Sequence, residues 1–171
     1  MNKEIWNKCV KFHGHECPGL AIGYRASLYV QELLNIDFSS DEEIVCISEN
    51  DSCSIDAVQL ITGCTAGKGN LIFHITGKHA YSFYNRANNK SIRIILKKID
   101  SEMSREETFK YVMESESDDL FDIKPTRLEL PEKASIYKNI TCSNCMEETA
   151  EPFITFYEEK ALCPDCLKKI K

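Results

Sequence analysis

The sequence predicts an α+β protein: a core of helices packed on a mixed sheet, followed by a small C-terminal zinc-ribbon domain. Helical and strand patterns segregate along the first part of the chain instead of alternating, which disfavours a doubly wound sheet. Near the C-terminus, Cys142-x2-Cys145 and Cys163-x2-Cys166 have the spacing of a four-thiolate metal site. With 171 residues, 43% hydrophobic and 28% charged, the chain has room for one ordinary globular domain and one small appendage.

Lys3 to Phe12 places Ile5, Trp6, Cys9, Val10 and Phe12 near helical spacing and reads as a short amphipathic helix. It runs into His13-Gly14-His15-Glu16-Cys17-Pro18-Gly19, where two glycines and a proline impose a loop. Leu20 to Leu34 is helical again, and Glu43 to Ser48 reads as a strand. Ser54 is an N-cap, with Asp56 in the first turn, for a helix through Ile61 that Gly63 terminates. After the glycine-rich loop Gly63 to Asn70 come three strands, Leu71 to Thr76, His79 to Asn85 and Ser91 to Lys97. Asn88-Asn89 supplies the hairpin chemistry between the last two. Ser104 and Glu107 make a capping box for a helix to about Glu114. The acidic stretch Glu114 to Asp122 reads as a solvated face that leads, through Pro125 and Pro131, out of the core. The domains are then residues 1–133 and 134–171.

In the second domain, two-residue gaps let each pair of sulfurs approach one cation from a tight turn, and Phe153 to Tyr157 with Lys160 to Leu162 suit a hairpin that joins the turns. So few residues bury too little apolar area to fold unaided. Structural zinc supplies about 10–16 kcal/mol in comparable peptides. Zinc held by Cys142, Cys145, Cys163 and Cys166 is the expectation; an iron–sulfur or rubredoxin-type iron site and a pair of redox dithiols are the rivals. Four cysteines and no vacant position make a structural site.

The formal net charge of −6 argues against nucleic acid, whose phosphates need a basic surface. From Ala134 to Lys171 five lysines face six acidic residues, and four thiolates on a divalent cation add further negative charge. A protein partner or dimer contact suits the ribbon better. The apolar run Ile92 to Leu96 is too short for a membrane span, and Met1 to Lys11 lacks the apolar core of a signal peptide. The expectation is a cytoplasmic protein with reduced, metal-binding thiols.

Five more cysteines lie within the first 64 residues, and His13, His15 and Cys17 fall within five positions. A loop can aim two such histidines at one ion, and imidazole with thiolate suits zinc, nickel or iron. The alternative is that the histidines cap turns and the cysteines are small buried apolar residues. Asp56 or Gln59 could orient a ligand histidine. Arg25 and Lys78 are candidates for an anionic ligand or plain surface charge. Gly63 to Lys68 is one residue short of a phosphate loop and has Gly69 where the magnesium-binding hydroxyl belongs.

His13-Gly14-His15-x-Cys17-Pro18-Gly19-x3-Gly23-Tyr24-Arg25 resembles the opening motif of the FmdE family, named for the E subunits of formylmethanofuran dehydrogenases. Cys53-x2-Asp56-Ala57-x-Gln59-x3-Gly63-Cys64-Thr65-x-Gly67-x-Gly69-Asn70 resembles its second block, and Gly77-Lys78-x-Ala80 with Phe83 a weaker third. The resemblance implies an α+β core, a C-terminal zinc module and an intertwined homodimer. It places the family's shared Cys and His positions on His13, His15, Cys17, Cys53 and Cys64. His15, Cys53 and Cys64 are the favoured ligands, His13 next and Cys17 last, and their convergence requires the loop after Gly63 to fold back toward Cys53. The resemblance implies an accessory metal-binding protein with a regulatory, sensing or interaction role. A small metal-dependent or thiol-based enzyme using the same cluster is the alternative.

Overall fold

The computed structural model describes residues 2–170, which divide into two compact units between Ala134 and Ser135.

The first unit begins with α1 (Lys3–His13), whose first turn is capped by Asn2, the Oδ1 accepting from the backbone N–H groups of Glu4 and Ile5. Gly14, in the left-handed region at φ 99°, ends it. Next, α2 (Pro18–Leu34) buries residues around most of its circumference, from Leu20 to Leu34, so it is the central helix. The third helix, α3 (Ser54–Thr62), packs against it at close range. A Cβ at Gly23 of α2 would lie 2.0 Å from the Ser54 carbonyl oxygen, so only glycine lets the two helices meet there.

Under the helices lies a mixed sheet of β1 (Ile44–Ser48), β2 (Leu71–Phe73), β3 (Ala80–Asn85), β4 (Lys90–Leu96) and β5 (Phe121–Lys124), in the order β2-β1-β3-β4-β5. Only β1 and β2 are parallel. Registers Cys46↔Leu71, Cys46↔Phe83 and Tyr81↔Ile94 build one face, which joins Leu20, Val30 and Val58 in the main core. The alternate residues Val45, Ile47 and Tyr84 form a second apolar cluster on the other face. Both faces are thus buried, and Arg93 reaches Glu49 at 2.6 Å within this second layer.

Two expectations need correction. The acidic segment after α4 (Arg105–Glu114) is not a solvated exit: α5 (Ser117–Leu120) and β5 follow, with Leu120 and Phe121 only 1% and 2% exposed. The two apolar residues anchor the last strand while the flanking acids face water. Arg25 is not plain surface charge: its guanidinium donates to the carbonyls of Val112, Met113 and Ser115 and so ties α2 to the end of α4.

The second unit is two hairpins and a helix. β6 (Asn139–Thr141) pairs with β7 (Glu148–Ala150), a hairpin not anticipated from the sequence, and β8 (Thr155–Tyr157) pairs with β9 (Lys160–Leu162). The turn of the first hairpin carries Cys142 and Cys145, whereas β9 leads into Cys163, the N-cap of α6 (Pro164–Lys168), which carries Cys166. The N–H of Ser143 donates to Ala161 at 2.8 Å, linking the hairpins. The small interior is Cys142, Leu162, Cys163 and Cys166. Among the described residues, no helix is long and apolar enough to cross a membrane.

Candidate metal centres

In the second unit one sulfur each from Cys142, Cys145, Cys163 and Cys166 lies within 4.8 Å of the others. Tetrahedral zinc–thiolate bonding separates sulfurs by roughly 3.8 Å, and Cys145 and Cys163 stand 3.9 Å apart. Protein N–H groups already aim at these atoms: the Cys163 backbone donates to Cys142 at 3.3 Å, and the Asn144 side chain to Cys166 at 3.2 Å. Without a cation the thiols compete for charge. Backbone N–H groups of Cys145, Cys163 and Asn144 pull the Cys142 thiol down to about 6. Cys145 is lowered by the Glu147 N–H, but burial and the sulfurs of Cys142, Cys166 and Cys163 outweigh this and push it up to about 12. A divalent cation removes that conflict, so the donor set fits a metal, and with four thiolates it is the closed set of a small zinc ribbon.

In the first unit the chain brings together His13, Cys17 and Cys53, again with one donor atom from each within 4.8 Å of the others. Each stands at a helix end. His13 is the last residue of α1; Cys17 is the N-cap of α2, its Sγ accepting from the Leu20 N–H at 3.3 Å; Cys53 precedes the first residue of α3. Pro18 does not weaken Cys17 as a candidate, because proline suits the first turn of a helix. The His13 Nε2 lies 3.7 Å from the Cys17 sulfur, against roughly 3.5 Å for imidazole and thiolate on one zinc. The other ring nitrogen, Nδ1, is 2.7 Å from Asp56 Oδ2 in the first turn of α3. This carboxylate–imidazole pair fixes the ring and leaves Nε2 free for a metal. Burial, and then the neighbouring Cys17 sulfur, push the Cys53 thiol up from its ordinary value.

The sequence-based ligand order is overturned in two places. His15 does not join the group: it is exposed, its ring lying against His13 with centroids 4.5 Å apart. The left-handed Gly14 reverses the chain after His13, and His15 is carried outside. Cys64 is at the wrong end of α3. The helix does not fold back, and about 16 Å of straight helix separates positions 53 and 64. The Cys64 thiol is buried instead against the Ile44 carbonyl, its Sγ at 3.5 Å. The Gly63–Asn70 loop packs on the sheet, pinned by Asn70 bonds to Asp41, Ile44 and Thr65. Of the two weighed orienting residues, Asp56 contacts the cluster, while Gln59 accepts from Ala66.

One contributor escaped the sequence reading. A Cβ at Gly19 would come within 3.1 Å of the Cys53 Cβ and within 4 Å of both sulfurs, so the bare glycine lets them approach. Beside the cluster runs a cleft of about 290 Å³ lined by Glu16, Cys17, Pro18, Arg105, Glu106 and Phe109. Glu16 and Phe109 also line a second cleft, of about 600 Å³, that reaches Trp6.

This arrangement coincides with a family match. Residues 12–139 match the family described as FmdE, molybdenum formylmethanofuran dehydrogenase operon. The chain belongs to the FmdE family. A crystal structure of a tungsten formylmethanofuran dehydrogenase FmdE-like protein from Syntrophus aciditrophicus is similar, with a TM-score of 0.70 and 26% identity, over 98% of this chain and 92% of that one. A probable S-adenosyl-L-methionine-binding protein of Archaeoglobus fulgidus is 39% identical over 88 residues, which are 49% of this chain but only 24% of that protein. The chain thus spans about a quarter of that relative's length.

Proposed function

We propose that this FmdE-family protein is an accessory metal-binding protein with two metals per chain. Zinc on Cys142, Cys145, Cys163 and Cys166 orders the ribbon, and a second transition metal (zinc, nickel or iron) sits on His13, Cys17 and Cys53. The observation that carries the reading is the His13–Cys17–Cys53 set with Asp56 behind the imidazole. Softness of the donors favours these metals over calcium or magnesium. A regulatory or interaction role through the ribbon is supported by its outward apolar residues, Met146, Phe153 and Phe156 among them. The unit's excess of acidic over basic residues favours a protein surface over nucleic acid as the partner. The thiol-rich donor sets suit a reducing, cytoplasmic location.

A second reading, a small metal-dependent or thiol-based enzyme, has one observation in its favour. The core group has three donors among the described residues, as catalytic zinc sites do, and a cleft reaches Cys17. Metal analysis of the full chain separates the possibilities. The intact protein is expected to bind two metal ions per chain, Cys53→Ser one fewer with the ribbon intact, and Cys163→Ser one fewer with residues 135–171 disordered. A Cys53→Ser protein that keeps both ions defeats the core assignment. A cobalt-loaded core whose visible spectrum shifts with added small thiols favours the enzyme; an unmoved spectrum favours binding or sensing.

A further inference from the structure

We propose that Cys17 and Cys53 form a reversible disulfide on exposure to a peroxide or a low-molecular-weight disulfide, and that this expels the core metal. The disulfide stands on geometry alone; its coupling to metal release rests on the metal-centre reading above.

The nine cysteines divide into three kinds. Cys9, Cys46 and Cys64 are fully enclosed, so no oxidant reaches them. They are inert. The ribbon four are closed around one site. Cys17 and Cys53 differ from both: their sulfurs lie within 4.8 Å of each other, yet they come from the starts of two different helices and are held by three protein donors, not four. Cys53 is half-buried, whereas Cys17 is only 5% exposed. One thiol can therefore meet an oxidant while the other waits behind it, the arrangement of an attacking and a resolving cysteine. Gly19 leaves the space between them clear. Asp51 and Ser52 before Cys53, and Gly14 to Glu16 before Cys17, are exposed, so the segments carrying both sulfurs border solvent.

With hydrogen peroxide, the Cys53 sulfur attacks one peroxide oxygen. An S–O bond forms, the O–O bond breaks and one water leaves with the thiol proton, giving a sulfenic acid. The Cys17 sulfur then attacks Cys53 Sγ; the S–S bond forms, the S–O bond breaks, and the second water carries off the Cys17 proton. In the metal-free chain His13 Nε2, 3.7 Å from that sulfur, is placed to accept the proton in passing. Two thiols are oxidised by two electrons and the peroxide is reduced to two waters. With oxidised glutathione, Cys53 attacks its disulfide, forming a mixed disulfide and releasing one glutathione thiol. Cys17 then attacks Cys53 Sγ and releases the second, so the two electrons end on two glutathione thiols. A disulfide sulfur is a poor ligand compared with thiolate, so the metal loses two of its three protein donors.

The test uses the full chain, zinc-loaded and after chelation, exposed to hydrogen peroxide or oxidised glutathione. Peptide mapping without reductant reads the product, and zinc is measured in parallel. The expected result is one cross-link within the first unit, between the peptides bearing Cys17 and Cys53. It forms faster after chelation, reverses with dithiothreitol, and releases one zinc per cross-link while the ribbon zinc stays. Cys17→Ser and Cys53→Ser proteins, shown folded by circular dichroism, give none. If chelated protein keeps both thiols free, or oxidises them separately to sulfinic acids, the disulfide is refuted. If the cross-link forms in a protein that never binds core zinc, the disulfide stands and only its coupling to metal falls.

Discussion

At the scale of single residues, the contact that decides the core centre is Asp56 Oδ2 to His13 Nδ1 at 2.7 Å. It chooses His13 over His15, although the two imidazoles are only two positions apart, because only His13 is carried by a helix end facing α3. Such outer-shell partners typically change metal affinity by about 10–100-fold. Asp56→Asn keeps the shape but removes the charge, and is expected to weaken core-metal binding by about that factor while the ribbon metal is untouched. Competition with a chromophoric chelator measures it; an unchanged core affinity would show that the carboxylate only caps its own helix. The residue types of the centre were legible in the sequence, and so was a second-rank carboxylate in the turn after Cys53. The ligand order was not, since it depends on where α1 stops: one residue beyond the apolar pattern, at His13, with Gly14 turning the chain away.

Elements place these residues through close helix packing. The starts of α2 and α3 present Cys17 and Cys53, and the two helices meet at Gly23, where a Cβ would overlap the Ser54 carbonyl at 2.0 Å. Gly23→Ala must therefore push the start of α3 away from α2. Overpacking of this kind costs about 1–3 kcal/mol. A urea unfolding midpoint lowered to match, together with weakened core-metal binding, is the expected outcome; a variant as stable as the parent would mean the helices are not held at this distance. The glycine pattern was visible in the sequence, but the backbone it serves lies some thirty residues downstream, which no local reading supplies. Capping chemistry was legible in part: the Ser104–Glu107 box forms with both of its hydrogen bonds, but Cys53, not Ser54, is the N-cap of α3, and Ser54 is its first helical residue. The last strand was hidden for the opposite reason. Leu120 and Phe121 sit between acidic neighbours, and only pairing of Phe121 with Leu96 reveals that two apolar residues suffice to complete the sheet.

For the whole molecule, assembly follows from what the ribbon leaves uncovered. Its interior is three of the four ligand cysteines and Leu162, with Cys145 and Leu167 packed against them. Nothing in so small a unit covers Met146, Phe153 and Phe156, which are 71%, 62% and 70% exposed. Large apolar side chains left exposed on so small a unit favour a protein contact. The occupant we expect is a second copy of the chain, as the family resemblance implies, and not nucleic acid, given the ribbon's excess of acidic over basic residues. Light scattering at micromolar concentration should then give twice the chain mass of 19.6 kDa. Phe156→Glu, which puts a charge on that surface without touching a sulfur ligand, should shift the population toward one chain while the ribbon metal is retained. A wild-type protein that scatters as a single folded chain would assign these residues to a different protein partner and remove the homodimer.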